Sequence, residues 1–425
     1  MRTHLNIFPW LKLALLALSA TLFFGFLAAL RYQTGAWLDD YLSFRKLRPL
    51  HVSSAVGWIF ASAIGLILHA RKAKPETKEW LMLSLYTVTG LAILLSYALG
   101  FFGGREYWEF NALFAAPILL FWWLFGKALL RSYKFTGQQV PVYRWMWLTG
   151  LFFFAFTFLE SMLWHLPAIH GQPVRETALQ WKSYGSLVGS WNMLVYGSAA
   201  WLGRRLENQS DSTPDRWQEG ALYLLSLTNL MFNWSHHIYD MPVSKWILQL
   251  GFYISMTELL VLFLLLKSFR LKIDGRPAAR LLWFSELWVL VNLVSAIGLS
   301  VPWLNRFTHG TFVTVAHAMG TTIGINSMIL LAGIAYHGRL EISNGFNKWL
   351  NVLQLSLLFF LISLFVIGLY TGLNRESMAD AVLRSQLRPY VKATMLLGMC
   401  TALCFIPVLK MLYCRLSRPA DAAAA

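Results

Sequence analysis

Apolar runs of about twenty residues recur along this chain at short intervals, and they constrain its fold more than any other feature. A helix needs roughly twenty apolar residues to cross a bilayer core of about 30 Å. Twelve such runs fit, at roughly 8–30, 50–69, 80–102, 110–130, 144–166, 183–203, 219–240, 245–267, 280–304, 311–336, 348–372 and 390–414. In lipid, every backbone N–H and C=O must find its partner internally, so runs of this length are read as helices. The expectation is an all-α, polytopic membrane protein with twelve transmembrane helices, forming one domain over residues 1–425. The connections are short, the longest polar ones lying near 31–49, 204–218 and 373–389. The first run lacks a small-residue cleavage site and is read as an uncleaved span. The sixth is the weakest, rich in Gly and Ser, which let helices approach closely.

Composition excludes the main alternatives. Hydrophobic residues make up 57% of the chain and charged residues only 13%, more apolar sequence than a water-soluble core requires. The net charge of +16 does not point to nucleic acid, because the basic residues sit between apolar runs and are not interleaved for base stacking. They read as topology signals on an anionic membrane. Basic residues concentrate in the loops after runs 2, 4, 6 and 8, for example Arg71, Lys72, Lys74 and Lys78 after run 2. That pattern places both termini in the cytoplasm, with the basic segments 31–49 and 373–389 running against it. Cys400, Cys404 and Cys414 are too few for a disulfide framework and read as packing residues.

This orientation puts most of the notable histidines at one depth. His51 opens run 2 on the outer side, and the adjacent pair His236 and His237 closes run 7 there. His309 opens run 10, with His317 about two turns deeper. Neutral imidazole is a common ligand for haem iron and for non-haem iron or copper. A single membrane histidine is usually a hydrogen-bonded packing residue, but several on one layer suggest a metal or cofactor. Among the carboxylates, Glu106 and Glu109 lie in an outer loop, Glu160 near the outer end of run 5, and Glu258 inside run 8. A carboxylate in lipid is costly unless protonated or paired, and proton handling is its frequent use.

Twelve runs, a histidine opening run 2, a His-His pair ending run 7 and a histidine in run 10 resemble the catalytic subunit of the haem–copper oxidase superfamily. Within it the chain most resembles the cytochrome b subunit of bacterial nitric oxide reductase. Gly104-Arg105-Glu106-Tyr107 is similar to that family's calcium-binding loop beside the haem propionates. Thr308-His309-Gly310-Thr311 with Val315-Ala316-His317 resembles its tenth span, and Ser255-Met256-Thr257-Glu258 falls where it keeps an active-site glutamate. The resemblance implies the following roles. His51 would ligate a low-spin haem b and His317 a high-spin haem b. His236 and His237 would bind a non-haem iron or copper, Glu106 a calcium ion, and Glu258 would serve the catalytic site. Arg105 would face haem propionates, since its planar fork matches carboxylates.

The chain departs from that pattern twice. The family places a second haem-ligating histidine two residues after the first in span 10, where this chain has Met319. Residues two apart on a helix point to nearly opposite faces, and a thioether is an acceptable axial ligand, so Met319 is the candidate sixth ligand opposite His51. The family also supplies a third metal histidine in span 6, but residues 181–192 here contain neither histidine nor carboxylate. His165, His170, Tyr184 and Asn192 are the available substitutes. Two functions follow from the resemblance. One is a nitric oxide reductase-like respiratory enzyme in a bacterial cytoplasmic membrane, fed by a separate cytochrome c-type donor subunit. The other is a divergent paralogue that keeps haem for electron transfer, gas sensing or assembly without dinuclear chemistry. An oxygen-reducing oxidase ranks below both, because it would require a third copper histidine and an adjacent redox tyrosine.

Overall fold

The computed structural model describes residues 8–34, 42–71, 77–132, 140–232, 234–235, 243–269, 276–341 and 343–417. Among them the chain is helical, and no strand forms beyond one isolated bridge between Arg105 and Trp108. Ten described helices are long and apolar enough to cross a membrane. These are α1 (Phe8–Thr34), α2 (Phe44–Ala70), α3 (Thr77–Ala98), α4 (Ala115–Ser132), α5 (Val142–Ser161), α8 (Lys245–Ser268), α9 (Pro277–Ser300), α11 (Phe312–His337), α12 (Asn344–Asn374) and α13 (Asp380–Ser417). Two further helices, α6 (Pro173–Leu206) and α7 (Trp217–Phe232), pack among them, and a short α10 (Pro302–Thr308) precedes α11.

α6 falls short on hydropathy and α7 on described length, for different reasons. α7 is described over 16 residues. α6 has 34 residues, and nearly all of it from Ser183 onward is buried in protein. A helix enclosed by other helices need not be lipophilic, so Gly and Ser can replace Leu. At Gly197 a Cβ would lie 2.9 Å from the Trp147 ring, and at Gly189 it would lie 2.9 Å from Leu230. These two glycines let α5 and α7 close onto α6.

α2 and α11 form the centre of the bundle, with 72% of each apolar window buried against 22% for α1, α3 and α4. They meet closely toward Ala70 of α2 and His337 of α11. There Trp58 Nε1 donates to Ser327 Oγ at 2.9 Å, Gly333 packs on Leu66 and the His69 and His337 rings stack 4.2 Å apart.

Several boundaries differ from the sequence expectation. α2 begins at Phe44, α6 at Pro173 and α13 at Asp380, so parts of the segments read as polar loops are helix. Hydropathy registers only the part of a helix that lies in hydrocarbon, whereas the hydrogen-bond ladder continues into the headgroup region. His51 therefore does not open its helix but lies about two turns inside it. The end of run 7 lies outside the described residues.

Candidate haem and metal site

His51 is held by α1. Its Nδ1 is 2.8 Å from the Thr21 carbonyl oxygen. A carbonyl can only accept, so Nδ1 carries the proton and Nε2 keeps its lone pair. This is the tautomer of a metal-ligating histidine, whose second nitrogen is usually fixed by a backbone carbonyl. Gly25 makes the approach possible, because a Cβ there would lie 2.9 Å from the imidazole. Residue type and surroundings at this position fit a haem ligand.

His317 is anchored by a polar group from α9. Its Nδ1 lies 3.4 Å from Ser295 Oγ. Ser295 also bonds Asn292, whose Nδ2 donates to Thr321 Oγ1 at 2.6 Å. Thr321 Oγ1 in turn donates to the His317 carbonyl oxygen at 3.1 Å. Asn292 is 2% exposed, a position where an amide persists only if its bonds are satisfied. Beyond Met319 the helix changes pitch, and Gly320–Ser327 is wound as a π-helix. Such insertions concentrate at functional sites. Met319 itself is half-buried against the core.

Glu258 is 4% exposed on α8, and both of its oxygens are hydrogen-bonded. Ser226 Oγ donates to one of its oxygens at 2.5 Å, and Asn229 Nδ2 donates to the other. Ser255 Oγ completes the group by donating to Asn229 Oδ1 at 2.8 Å. All four side chains are buried. Sequence reasoning singled out Glu258 but not its holders. The signal was available, since Ser226 and Asn229 are polar residues three apart in an otherwise apolar run.

His236 and His237 lie outside the described residues. The chain just before them is fixed, with Ser235 fully buried and donating to the Phe232 and Ile247 carbonyl oxygens at 2.8 and 2.9 Å. The part of α6 where a third ligand is expected is engaged with other protein groups. Trp191 lies among Phe60 and Tyr107, Tyr184 meets Tyr107 edge-on, and Asn192 Oδ1 accepts from Asn326 at 3.3 Å. His165 stacks on Trp164, His170 lies 3.6 Å from Glu176, and His309 lies beside Trp181. None of the three joins Asn192. Among the described residues, no group of three or more His, Cys, Asp or Glu side chains could hold a metal ion. The donors fit haem at His51 and His317, but α6 does not complete a dinuclear site.

The loop from Gly103 to Asn111 is tied to the helices by ion pairs. Arg48 on α2 bonds Glu106 at 2.6 Å and Glu109 at 3.2 Å. Burial pushes the Glu109 carboxyl above its ordinary range, although Arg48 opposes this. Its Oε2 is buried without a hydrogen-bond partner. Burial likewise raises Tyr107 to about 12. Arg105 bonds Glu176 and Gln180 and lies over the Trp164 ring, so its fork is filled by protein groups. The cysteines are all free.

An imidazole poised in each of two central helices of an all-helical bundle agrees with a family match over nearly the whole chain. Residues 7–400 match the model described as cytochrome c and quinol oxidase polypeptide I. The chain belongs to this family. It is accordingly a membrane-embedded subunit of respiratory haem electron transfer, with a haem and a further metal centre as the family's cofactors. The fold is similar to a solved structure described as a heme-copper terminal oxidase dimer, with a TM-score of 0.71 and 14% identity. The match covers 97% of this chain and 84% of that one. The likeness extends the fold assignment beyond the matched region.

Proposed function

We propose that this chain is a nitric oxide reductase-like respiratory haem protein. The observation that carries the reading is the buried Glu258, gripped by two side chains of α7, the helix that leads toward His236 and His237. When bound, haem supplies one-electron chemistry and an iron that takes up a diatomic ligand. His51 and Met319 would hold the low-spin haem b, and His317 the high-spin haem b. His236 and His237 would hold the non-haem iron or copper. Ser226 and Asn229 orient the Glu258 oxygens, and the carboxyl would relay a proton during reduction of nitric oxide to nitrous oxide. The orphaned Glu109 oxygen beside Glu106 suits a calcium ion, a hard cation that takes carboxylate oxygens. Arg105 would reach a haem propionate by exchanging its bond to Glu176. Electrons would come from a cytochrome c-type donor subunit on the outer face of a bacterial cytoplasmic membrane, with both termini cytoplasmic. The test is nitric oxide consumption by the purified protein with a reduced donor. Consumption that requires His237 supports the reading, and absence of turnover with haem present rejects it.

A second reading is favoured by residues 181–192 of α6, which offer neither histidine nor carboxylate to a metal. On this reading the chain keeps haem for electron transfer, gas sensing or assembly and lacks dinuclear chemistry. Non-haem iron or copper in the purified protein separates the two.

A further inference from the structure

At the end of the bundle opposite the Arg105 loop, α2, α3 and α4 enclose a cavity of about 190 Å³ with an unusual charge. Arg71, Lys78, Lys127 and Arg131 line it, and Glu79 is its one acid. Glu79 is already engaged by Arg71 at 2.5 Å. A second bond, from Arg71 Nη1 to the Ala128 carbonyl oxygen at 3.0 Å, fixes the guanidinium between α3 and α4. Arg71 Nε remains buried with no hydrogen-bond partner. Among the described residues, one carboxylate faces four cations, a balance that favours an anion. Trp123 borders the same cavity, and Lys127 Nζ sits 4.1 Å above its ring. An exposed Trp beside a Lys is the usual furniture of the headgroup layer.

The same pair of helices carries the second half of a lipid site. Farther along α3 and α4 lies an apolar cavity of about 370 Å³, bordered by Gly90, Ile118 and Phe121 and closed on its other side by α1 and α2 at Leu16 and Gly57. A Cβ at Gly90 would meet nothing within 4 Å. From Lys78 to Gly90 the helix advances about 18 Å at about 1.5 Å per residue, a distance comparable with an extended acyl chain. A free anion would use the basic cavity alone, whereas a lipid would use both cavities along the two helices.

We propose that α2, α3 and α4 form a binding site for one anionic phospholipid, with its phosphate among Arg71, Lys78, Lys127 and Arg131 and an acyl chain in the α3–α4 groove. The site is separate from the redox chemistry and does not depend on it. Arg71 both positions the phosphate and joins the helix ends, and the three outer cations supply attraction. Basic pockets between membrane helices recognise anionic headgroups in this way.

The test is native mass spectrometry of the full chain in detergent, titrated with dioleoyl phosphatidylglycerol and, separately, with dioleoyl phosphatidylcholine. The site predicts preferential retention of one phosphatidylglycerol. Lys78→Gln, Lys127→Gln and Arg131→Gln are solvent-facing changes that preserve the fold. Each should lower affinity roughly 5-fold, and all three together about 100-fold. Gly90→Leu fills the groove and should weaken the dioleoyl lipid while leaving a dihexanoyl phosphatidylglycerol unaffected. Equal retention of the two headgroups, or unchanged retention in the triple variant, overturns the proposal. Full competition by free glycerol phosphate at equal concentration would identify a soluble-anion site and overturn the lipid assignment.

Discussion

α7 has a neighbour on each side, and the two neighbours treat it differently. α8 meets it with Ser255 and Glu258, and Ser226 and Asn229 of α7 close a four-residue polar group around one buried carboxyl. α6 meets it with Gly189 packed on Leu230 and with Ser186 donating to the Leu230 carbonyl oxygen at 2.6 Å. The α8 side carries a titratable group whose every bond is arranged. At the level of Leu230 the α6 side carries packing and a backbone bond, and its charged contact, the buried Arg204–Glu219 ion pair, lies at the other end of α7. Two interfaces on one helix therefore differ at the same level: one encloses a buried carboxyl, and the other is closed by a glycine contact.

The comparison can be broken or sharpened by substitution. The largest expected effect is at the end of α7. His237→Ala should lower nitric oxide turnover by more than about 100-fold, since loss of even an outer partner of a metal ligand costs 10–100-fold. Turnover equal to the wild type would remove the pair from catalysis. Next is the α8 side. Glu258→Ala strands Ser226 and Asn229 and leaves a void, and should cost about 2–5 kcal/mol in thermal unfolding. Glu258→Gln should retain most of the stability and lose proton delivery. Equal stability of the Ala and Gln variants would show that the polar group does not hold the carboxyl.

A third substitution tests the haem end of α11. The oxidised protein should show a near-infrared methionine-to-iron charge-transfer band, and Met319→Leu should abolish it. Absence of the band in the wild type removes Met319 from the ligand set. The smallest effect is expected on the α6 side. Ser186→Ala should cost about 0.5–1.5 kcal/mol and leave the pH dependence of turnover unchanged. A shifted pH profile would mean that α6 takes part in the chemistry and that the contrast with α8 is wrong.

Much of this architecture was legible in the sequence, because lipid enforces a simple code of length and apolarity. Ten of the expected spans follow from it directly. α6 was read as weak but helical, and its burial explains why its polarity is tolerated. Helix starts at Phe44, Pro173 and Asp380 were not legible, since hydropathy cannot see a helix once it leaves hydrocarbon. His51, His317 and Glu258 stood out as costly residues in apolar runs. Their supports did not, because Thr21 acts through its backbone, and Ser295, Asn292, Ser226 and Asn229 reach their targets across helix contacts that no local pattern encodes. The ion pairs Arg105–Glu176 and Arg48–Glu106 likewise join segments far apart in sequence.

The central claim is that His51 and His317 each hold a haem in this bundle. Haem content per chain of the purified wild-type protein, measured by pyridine haemochrome absorption, tests it most directly. The account predicts two haems b per chain, falling to one in His51→Ala and in His317→Ala. A protein purified intact from a haem-replete host with no haem b would contradict it.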